Sequence, residues 1–275
     1  MALPGARRLL GLGSRAAAGG LLRAPLSSVA VPRALCVPAA AAASGAAAAA
    51  TAAATPKRSF ATIPQPTCLV GTTAPDFTLD AYMPSGKVEK LCLSELLQQH
   101  IGVCLLFYPL DFTYVCPTEL LAYNSKVQEF KDLGWALVGI SVDSVHSHKA
   151  WCELPAAAGG LGGLQFPLAS DFMREVAAAY GLLSAAGFAL RGCALVGPHR
   201  LLRLLAAADT QLGRSPQETL RAAAMISHLH AAANQNKVCP ACWQQGQPAM
   251  EATKEAVAKH LQQMKAEASS SSSSS

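Results

Sequence analysis

Residues Val103-Cys104-Leu105-Leu106-Phe107-Tyr108 form a short apolar run that stops at Pro109. A run of that length with no polar alternation fits a strand buried on both faces, bounded where proline cannot extend a ladder. After a turn, Cys116 precedes Pro117, a residue suited to opening a helix. Leu120, Leu121, Val127 and Phe130 then give one apolar face to a helix over 117–131. The alternation continues with a strand over 135–142, a short helix over 146–152 and an extended piece over 166–169. Two adjacent strands, 188–196 and 201–205, flank a turn at Gly197-Pro198. Ser215-Pro216-Gln217-Glu218 joins a capping-box pattern to proline at the first helical position and predicts a helix reaching Ala233. Strands alternating with helices place the chain in the α/β class.

The ends of the chain differ from this middle. No acidic residue precedes Asp76, whereas Arg7, Arg8, Arg15, Arg23, Arg33, Lys57 and Arg58 all do. With those seven set aside, 15 basic residues face 17 acidic ones, so the formal charge of +5 is no footprint for nucleic acid or an anionic membrane. Residues 1–60 read as an organelle-targeting leader with a polyalanine segment, because Leu9, Leu10, Leu12, Leu21 and Leu22 alternate with arginine. Arg15 and Arg23 interrupt the unbroken apolar core that a secretory signal needs. Arg58-Ser59-Phe60-Ala61 resembles a matrix-protease cleavage site, which points to the mitochondrial matrix, with a plastid or a low-complexity head without an address as alternatives. No stretch is apolar enough to span a bilayer. The division is then leader 1–60, folded domain 61–233, carboxy-terminal arm and helix 234–268, and a disordered serine tail 269–275.

Nine cysteines at irregular spacing do not fit a disulfide scaffold in a chain this long. Cys104 and Cys193 lie in apolar contexts and read as core packing. Cys116 is different, because it follows a strand, opens a helix and has Thr113 three residues before it. A helix amino terminus favours an anion, and thus a thiolate, at that position. On these features alone a capping cysteine and a reactive one stand level.

The segment Phe107-Tyr108-Pro109-Leu110-Asp111-Phe112-Thr113-Tyr114-Val115-Cys116-Pro117-Thr118-Glu119 resembles the peroxidatic signature of the typical two-cysteine peroxiredoxins, P-x-x-x-T-x-x-C. The similarity extends through Ser141-Val142-Asp143-Ser144, Ser147-His148-Lys149-Ala150-Trp151, Ala189-Leu190-Arg191-Gly192, Gly213-Arg214-Ser215 and Val238-Cys239-Pro240. The resemblance implies a thioredoxin-like fold, a central mixed sheet flanked by helices, with a carboxy-terminal extension carrying a resolving cysteine. It implies a thiol peroxidase acting on hydrogen peroxide and organic hydroperoxides, with no cofactor and no metal. Cys116 is then the attacking thiolate, Thr113 holds the peroxide and Pro109 shields the sulfur. Arg191 places fixed positive charge beside it, Glu119 orients that guanidinium, and Arg214 completes the polar network. Arg191 falls inside an apolar strand, where an unpaired charge is costly.

The resemblance further implies that Cys239 resolves the sulfenic acid of a partner subunit's Cys116, within an antiparallel homodimer that assembles into rings, and that thioredoxin reduces the disulfide. Cys242 departs from the family pattern and makes the segment a C-x-x-C. A second resolver, a partner for Cys239 and an idle thiol are all open, whereas zinc lacks a completing pair of ligands. Gly159-Gly160-Leu161-Gly162-Gly163 has no nucleotide-loop lysine and resembles the family's GGLG element. His146 and His148 stand at i, i+2, off a common helix face, and read as structural or exposed. Sensitive family members pair that loop with a Tyr-Phe helix. Here Thr253-Lys254-Glu255-Ala256-Val257 puts small residues there, which implies a loosely docked tail and resistance to overoxidation. A disulfide reductase would need a second cysteine near Cys116. A holdase chaperone in the overoxidised ring is the better rival, and peroxide consumption separates the two.

Overall fold

The computed structural model describes residues 69–234 and 236–271, with side chains to residue 266. The leader and its cleavage site lie outside the described residues. The elements run β1 (Thr78–Tyr82), β2 (Val88–Cys92), α1 (Leu93–Gln99), β3 (Gly102–Phe107), α2 (Val115–Asn124), α3 (Val127–Asp132), β4 (Trp135–Ser141), α4 (Val145–Glu153), β5 (Leu168–Ser170), α5 (Glu175–Ala179), β6 (Arg191–Val196), β7 (Leu202–Ala208) and α6 (Pro216–His230). The short pair β8 (Lys237–Val238) and β9 (Met250–Glu251) follows, and then α7 (Lys254–Ser271). Seven strands form one sheet in the order β2-β1-β5-β4-β3-β6-β7. Strand β3 is parallel to β4 and antiparallel to β6, so the sheet is mixed, as the thioredoxin-like reading requires.

Every residue of β3 and β6 is buried, which is why neither shows alternation in sequence. Cys104, Leu106 and Tyr108 point to one face, where they pack with Cys116, Leu120, Trp151 and Ala223. Val103, Leu105 and Phe107 point to the other, against Leu93, Ala177 and Tyr180. Both faces are therefore closed by helices. Cys104 and Cys193 meet sulfur to sulfur at 3.8 Å in this core, and burial pushes the Cys104 thiol well up, consistent with packing.

Several boundaries differ from expectation. The single helix over 117–131 is two helices, because Ser125 turns its hydroxyl onto the Ala122 carbonyl and Lys126 leaves helical geometry at φ −108°, ψ 3°. It also opens at Val115, so Cys116 stands inside the first turn, and Pro117 occupies a position whose N–H would have no helical partner. The strand placed over 188–196 begins only at Arg191, while its neighbour continues to Ala208. Helix α6 does start at Pro216, yet the capping box does not form. Glu218 is taken by the guanidinium of Arg221 through two 2.8 Å bonds, and the Ser215 hydroxyl bonds Gln217 instead. The helix stops at His230, ahead of a 3-10 turn at Ala232–Asn234. Helix α7 runs three residues into the serine tail, and residues 272–275 lie outside the described residues.

Candidate active site

Register brings the chemistry together. Phe107 pairs with Gly192 across β3 and β6, so Arg191 begins β6 just beyond the end of β3, where the chain leaves for Cys116. Arg191 shares its sheet face with Cys193, the face on which α2 packs. Gly192 has no room for a side chain, since a Cβ there would meet Leu182 Cδ1 at 2.3 Å. Its carbonyl accepts a hydrogen bond from Arg214 Nη1.

The result is a buried cluster. Cys116 is 0% exposed, and Arg191 Nη1 donates to its Sγ at 3.4 Å. The same nitrogen donates to Glu119 Oε2 at 2.6 Å, and Arg191 Nε is fixed by the Thr210 carbonyl at 2.6 Å. Arg214 completes the clamp on Glu119 through its backbone N and Nε to Oε1, both at 2.8 Å, and through Nη2 to Oε2 at 3.1 Å. Its guanidinium also lies 5.9 Å from the Tyr123 ring centroid. Burial alone would raise the Glu119 carboxyl, but Arg214 and then Arg191 outweigh it and hold the group below its ordinary 4.5. One carboxylate thus fixes two guanidinium groups, and one of those reaches the sulfur.

The helix end adds to that field. Tyr114 at the N-cap of α2 makes no side-chain cap bond, leaving first-turn N–H groups free of a cap beside Cys116. Pro109 is buried and Thr113 half-buried on the loop that leads in. The Thr113 hydroxyl donates to the Leu110 carbonyl at 2.8 Å, which leaves its oxygen lone pairs to accept. Phe112 in the same loop takes a left-handed φ of 54°, held by its ring against Trp151 at a centroid distance of 5.8 Å.

Behind the loop lies a polar network that reading by motif passed over. His148 Nδ1 lies 2.8 Å from Asp111 Oδ2, which also accepts from Ser147, while Tyr108 donates to Oδ1. The Asp111 backbone N–H donates to Asp143 Oδ2, which accepts from Ser141 as well. His148 is therefore buried and structural, whereas His146 is exposed. The available signal was a carboxylate, Asp111, inside an otherwise apolar loop that would have to be buried.

Cys239 and Cys242 lie elsewhere, on the arm that follows α6, and both are free thiols. Cys239 is half-buried and Cys242 exposed. Burial raises the Cys239 thiol, opposed by the nearby Arg221 of α6. Burial beside Asp111 and Glu153 pushes the Cys152 thiol up to about 12, whereas hydrogen bonding to Ser94 lowers that of Cys92 at the end of β2.

Residues 70–204 match the AhpC/TSA family, and residues 229–263 match the C-terminal domain of 1-Cys peroxiredoxin. A putative peroxiredoxin of Entamoeba histolytica is 37% identical over 193 residues, covering 70% of this chain and 81% of that protein. The chain belongs to the peroxiredoxin family. Among solved structures, the reduced 2-Cys peroxiredoxin of Plasmodium vivax superposes with a TM-score of 0.68 at 33% identity, covering 71% of this chain and 99% of the other. The mitochondrial 2-Cys peroxiredoxin of Plasmodium falciparum gives 0.58 at 37% identity, covering 62% of this chain and 100% of the other. The thioredoxin-like fold is thereby shared with peroxiredoxins of known structure, and the activity class is that of a thiol peroxidase. Cys116 falls within the first matched segment and Cys239 within the second.

Proposed function

We propose that this peroxiredoxin reduces hydrogen peroxide and organic hydroperoxides through Cys116, resolves the product with Cys239 of a second subunit, and is recycled by thioredoxin. The observation that carries the reading is the Arg191 guanidinium, clamped by Glu119 and 3.4 Å from a cysteine sulfur in the first turn of α2. Positive charge and free N–H groups converge where a thiolate must form and where negative charge grows on the departing oxygen. The thiolate attacks one peroxide oxygen, the O–O bond breaks, and the second oxygen leaves as hydroxide or alkoxide and takes up a proton. Thr113 and Pro109 are assigned to holding the peroxide and shielding the sulfenic acid. Cys239 then attacks the sulfenic sulfur, expelling water and forming the disulfide.

Cys116 is wholly buried, so the first turn of α2 must open before another subunit's thiol reaches it. The homodimer reading is supported by β7, an edge strand of the sheet, which residues 71–74 cover at its start and whose outer edge beyond Leu202 carries ladder groups on which a second copy can add. Rings of dimers follow from the family resemblance. The Arg-rich, acid-free leader supports import into the mitochondrial matrix, with a plastid as the alternative.

The test follows NADPH oxidation coupled through thioredoxin and thioredoxin reductase as peroxide is consumed. Wild type turns over, and Cys116→Ser falls to background because serine has no accessible anion at neutral pH. Residual turnover in that variant sinks the assignment. Wild-type peroxide consumption that cannot be recycled by thioredoxin leaves Cys116 in place and overturns the reductant. A fluorescent protein fused behind residues 1–68 checks the address, and cytosolic signal counts against it.

A further inference from the structure

We propose that Cys239 and Cys242 form a disulfide relay, in which Cys242 takes the oxidised equivalent from the Cys116–Cys239 bond and returns Cys116 to its reduced state. The proposal rests on the reading of Cys116 and Cys239 above. Its starting point is the C-x-x-C of the arm, which the peroxidase chemistry leaves half unused. Trp243 N donates to the Pro240 carbonyl at 3.2 Å, so the chain turns tightly through Ala241 and Cys242. Cys242 sits in the left-handed region at φ 58°, an unusual conformation for a residue with a side chain. Cys242 is exposed and Cys239 half-buried, with only Pro240 and Ala241 between them in the chain.

The turn is also anchored and charged. Trp243 is 2% exposed, its indole N–H donates to the Gln247 carbonyl at 3.0 Å, and its ring lies 5.0 Å from that of His228. Arg221, held by Glu218, donates to the Trp243 carbonyl at 3.1 Å and feels the charge of both sulfurs. One guanidinium thus lies within electrostatic reach of both residues of the motif. Among the described residues, no group of three or more His, Cys, Asp or Glu is placed to hold a metal.

The exchange balances without a further oxidant. The Cys242 thiolate attacks Cys239 Sγ, the Cys239–Cys242 bond forms, and the Cys116–Cys239 bond breaks. The electron pair leaves on Cys116 Sγ, which gains the proton that Cys242 lost. Two electrons remain withdrawn from the protein throughout. The direction follows from burial, since Cys116 released from the disulfide can return to its pocket beside Arg191 and restore the first turn of α2. The oxidised equivalent then rests on an exposed turn, open to a dithiol reductant.

The test uses the full chain, reduced and freed of reductant, treated with hydrogen peroxide and quenched with acid and then an alkylating agent at successive times. Non-reducing gels and peptide mass spectrometry follow the linkages. In wild type the Cys116–Cys239 dimer rises and then decays while a Cys239–Cys242 intrachain disulfide accumulates. Rapid peroxide uptake is about twofold that of Cys242→Ser, because the regenerated Cys116 reacts again. Cys242→Ser holds the linked dimer. A wild-type dimer as persistent as that of Cys242→Ser, or one linked through Cys242 itself, overturns the relay while leaving Cys116 as the peroxide-reactive thiol. Failure of wild type to consume the first equivalent overturns the underlying reading instead.

Discussion

The two regions that carry the reactive thiols are built in opposite ways. Cys116 sits where a fully buried strand pair, a helix end and a three-residue ion cluster meet, with the Glu119 carboxylate holding both guanidinium groups and the Thr210 carbonyl fixing Arg191. Cys239 and Cys242 sit on an arm whose buried Trp243 packs on α6 beside His228, and His228 Nε2 is buried without a hydrogen-bond partner among the described residues. An unsatisfied buried nitrogen costs about 1–3 kcal/mol, so the arm is held less firmly than the pocket. The contrast separates two demands. Activating a thiolate needs charges that do not move, whereas delivering a resolving thiol needs a segment that does.

Breaking the fixed side of that contrast gives the largest effect. Arg191→Ala removes the only side-chain donor to the Cys116 sulfur among the described residues and leaves Glu119 to Arg214 alone. The expected loss in kcat/KM for peroxide is about 10²–10³-fold, the range for deleting one preorganised charge stabiliser. Stopped-flow rates checked beside circular dichroism test it, and a loss below about threefold with the fold intact would move the catalytic charge elsewhere.

Glu119 is the second target, because it holds both guanidinium groups. Glu119→Gln keeps the shape and strands two buried cations, which costs about 3–5 kcal/mol of stability. The pH dependence has a definite sign. Glu119 titrates below its ordinary 4.5 in the folded protein, so the stability it contributes is fully present above that value and is lost as pH falls through the folded pKa. The gap between wild type and Glu119→Gln in urea melts should therefore be constant from pH 6 to 8 and close in more acidic solution. A gap that widens on acidification contradicts the assigned charge state.

These two targets were legible in the sequence for a specific reason. Arg191 stands in an apolar stretch at the head of β6, and a charge in such a place must have a buried partner. Its match to a family pattern then supplied Glu119, a residue with no local oddity of its own. The buried strands β3, β4 and β6 were readable from apolar runs that leave no alternative to burial, and their thioredoxin-like arrangement came from the family resemblance. What escaped turned on individual side-chain partners that a hydrophobic pattern does not reveal. The β1–β2 hairpin carries Glu89, Lys90 and Asp80, and its edge position lets those charges face water, so its pattern is weak. The break between α2 and α3 turned on one serine hydroxyl, and the capping box failed because Arg221 claimed Glu218. The Asp111–His148 network joins the β3 loop to α4, and only the folded chain shows that both are buried.

Loosening the arm should have a smaller and more local effect. Trp243→Ala removes the one large side chain of the 240s turn from its seat on α6, worth about 3 kcal/mol or more if fully lost. Because the arm contributes nothing to the main sheet, hydrogen exchange should rise across 237–251 while the amides of β3 and β6 keep their protection. Equal loosening of the central strands would show that the arm and the pocket are one cooperative unit.

The smallest expected change adds contacts to the arm's last element. Helix α7 opens with the Thr253 hydroxyl accepting from the Ala256 N–H at 3.2 Å, and beyond it Val257, Leu261 and Met264 are all exposed. In sensitive peroxiredoxins an aromatic pair at the corresponding place packs over the active site and slows the opening that lets the resolver in. Here Ala256 and Val257 offer little to pack. The Gly159–Gly163 loop is nonetheless present, with Leu161 buried and the Trp151 indole donating to the Gly159 carbonyl at 3.1 Å. The two features pull apart, and the expectation here follows the helix, whose apolar side chains are exposed. Resolution should then outrun the second peroxide, leaving little Cys116 sulfinic acid. Ala256→Tyr combined with Val257→Phe restores two rings, and gaining even about 1.4 kcal/mol of docking shifts the open fraction tenfold at most. The double variant should therefore lose activity at a several-fold lower hydrogen peroxide concentration during thioredoxin-driven turnover, with a matching rise in the sulfinic fraction by mass spectrometry. Wild-type inactivation at low micromolar peroxide, or a double variant no more sensitive than wild type, would show that the loop rather than the helix sets the balance.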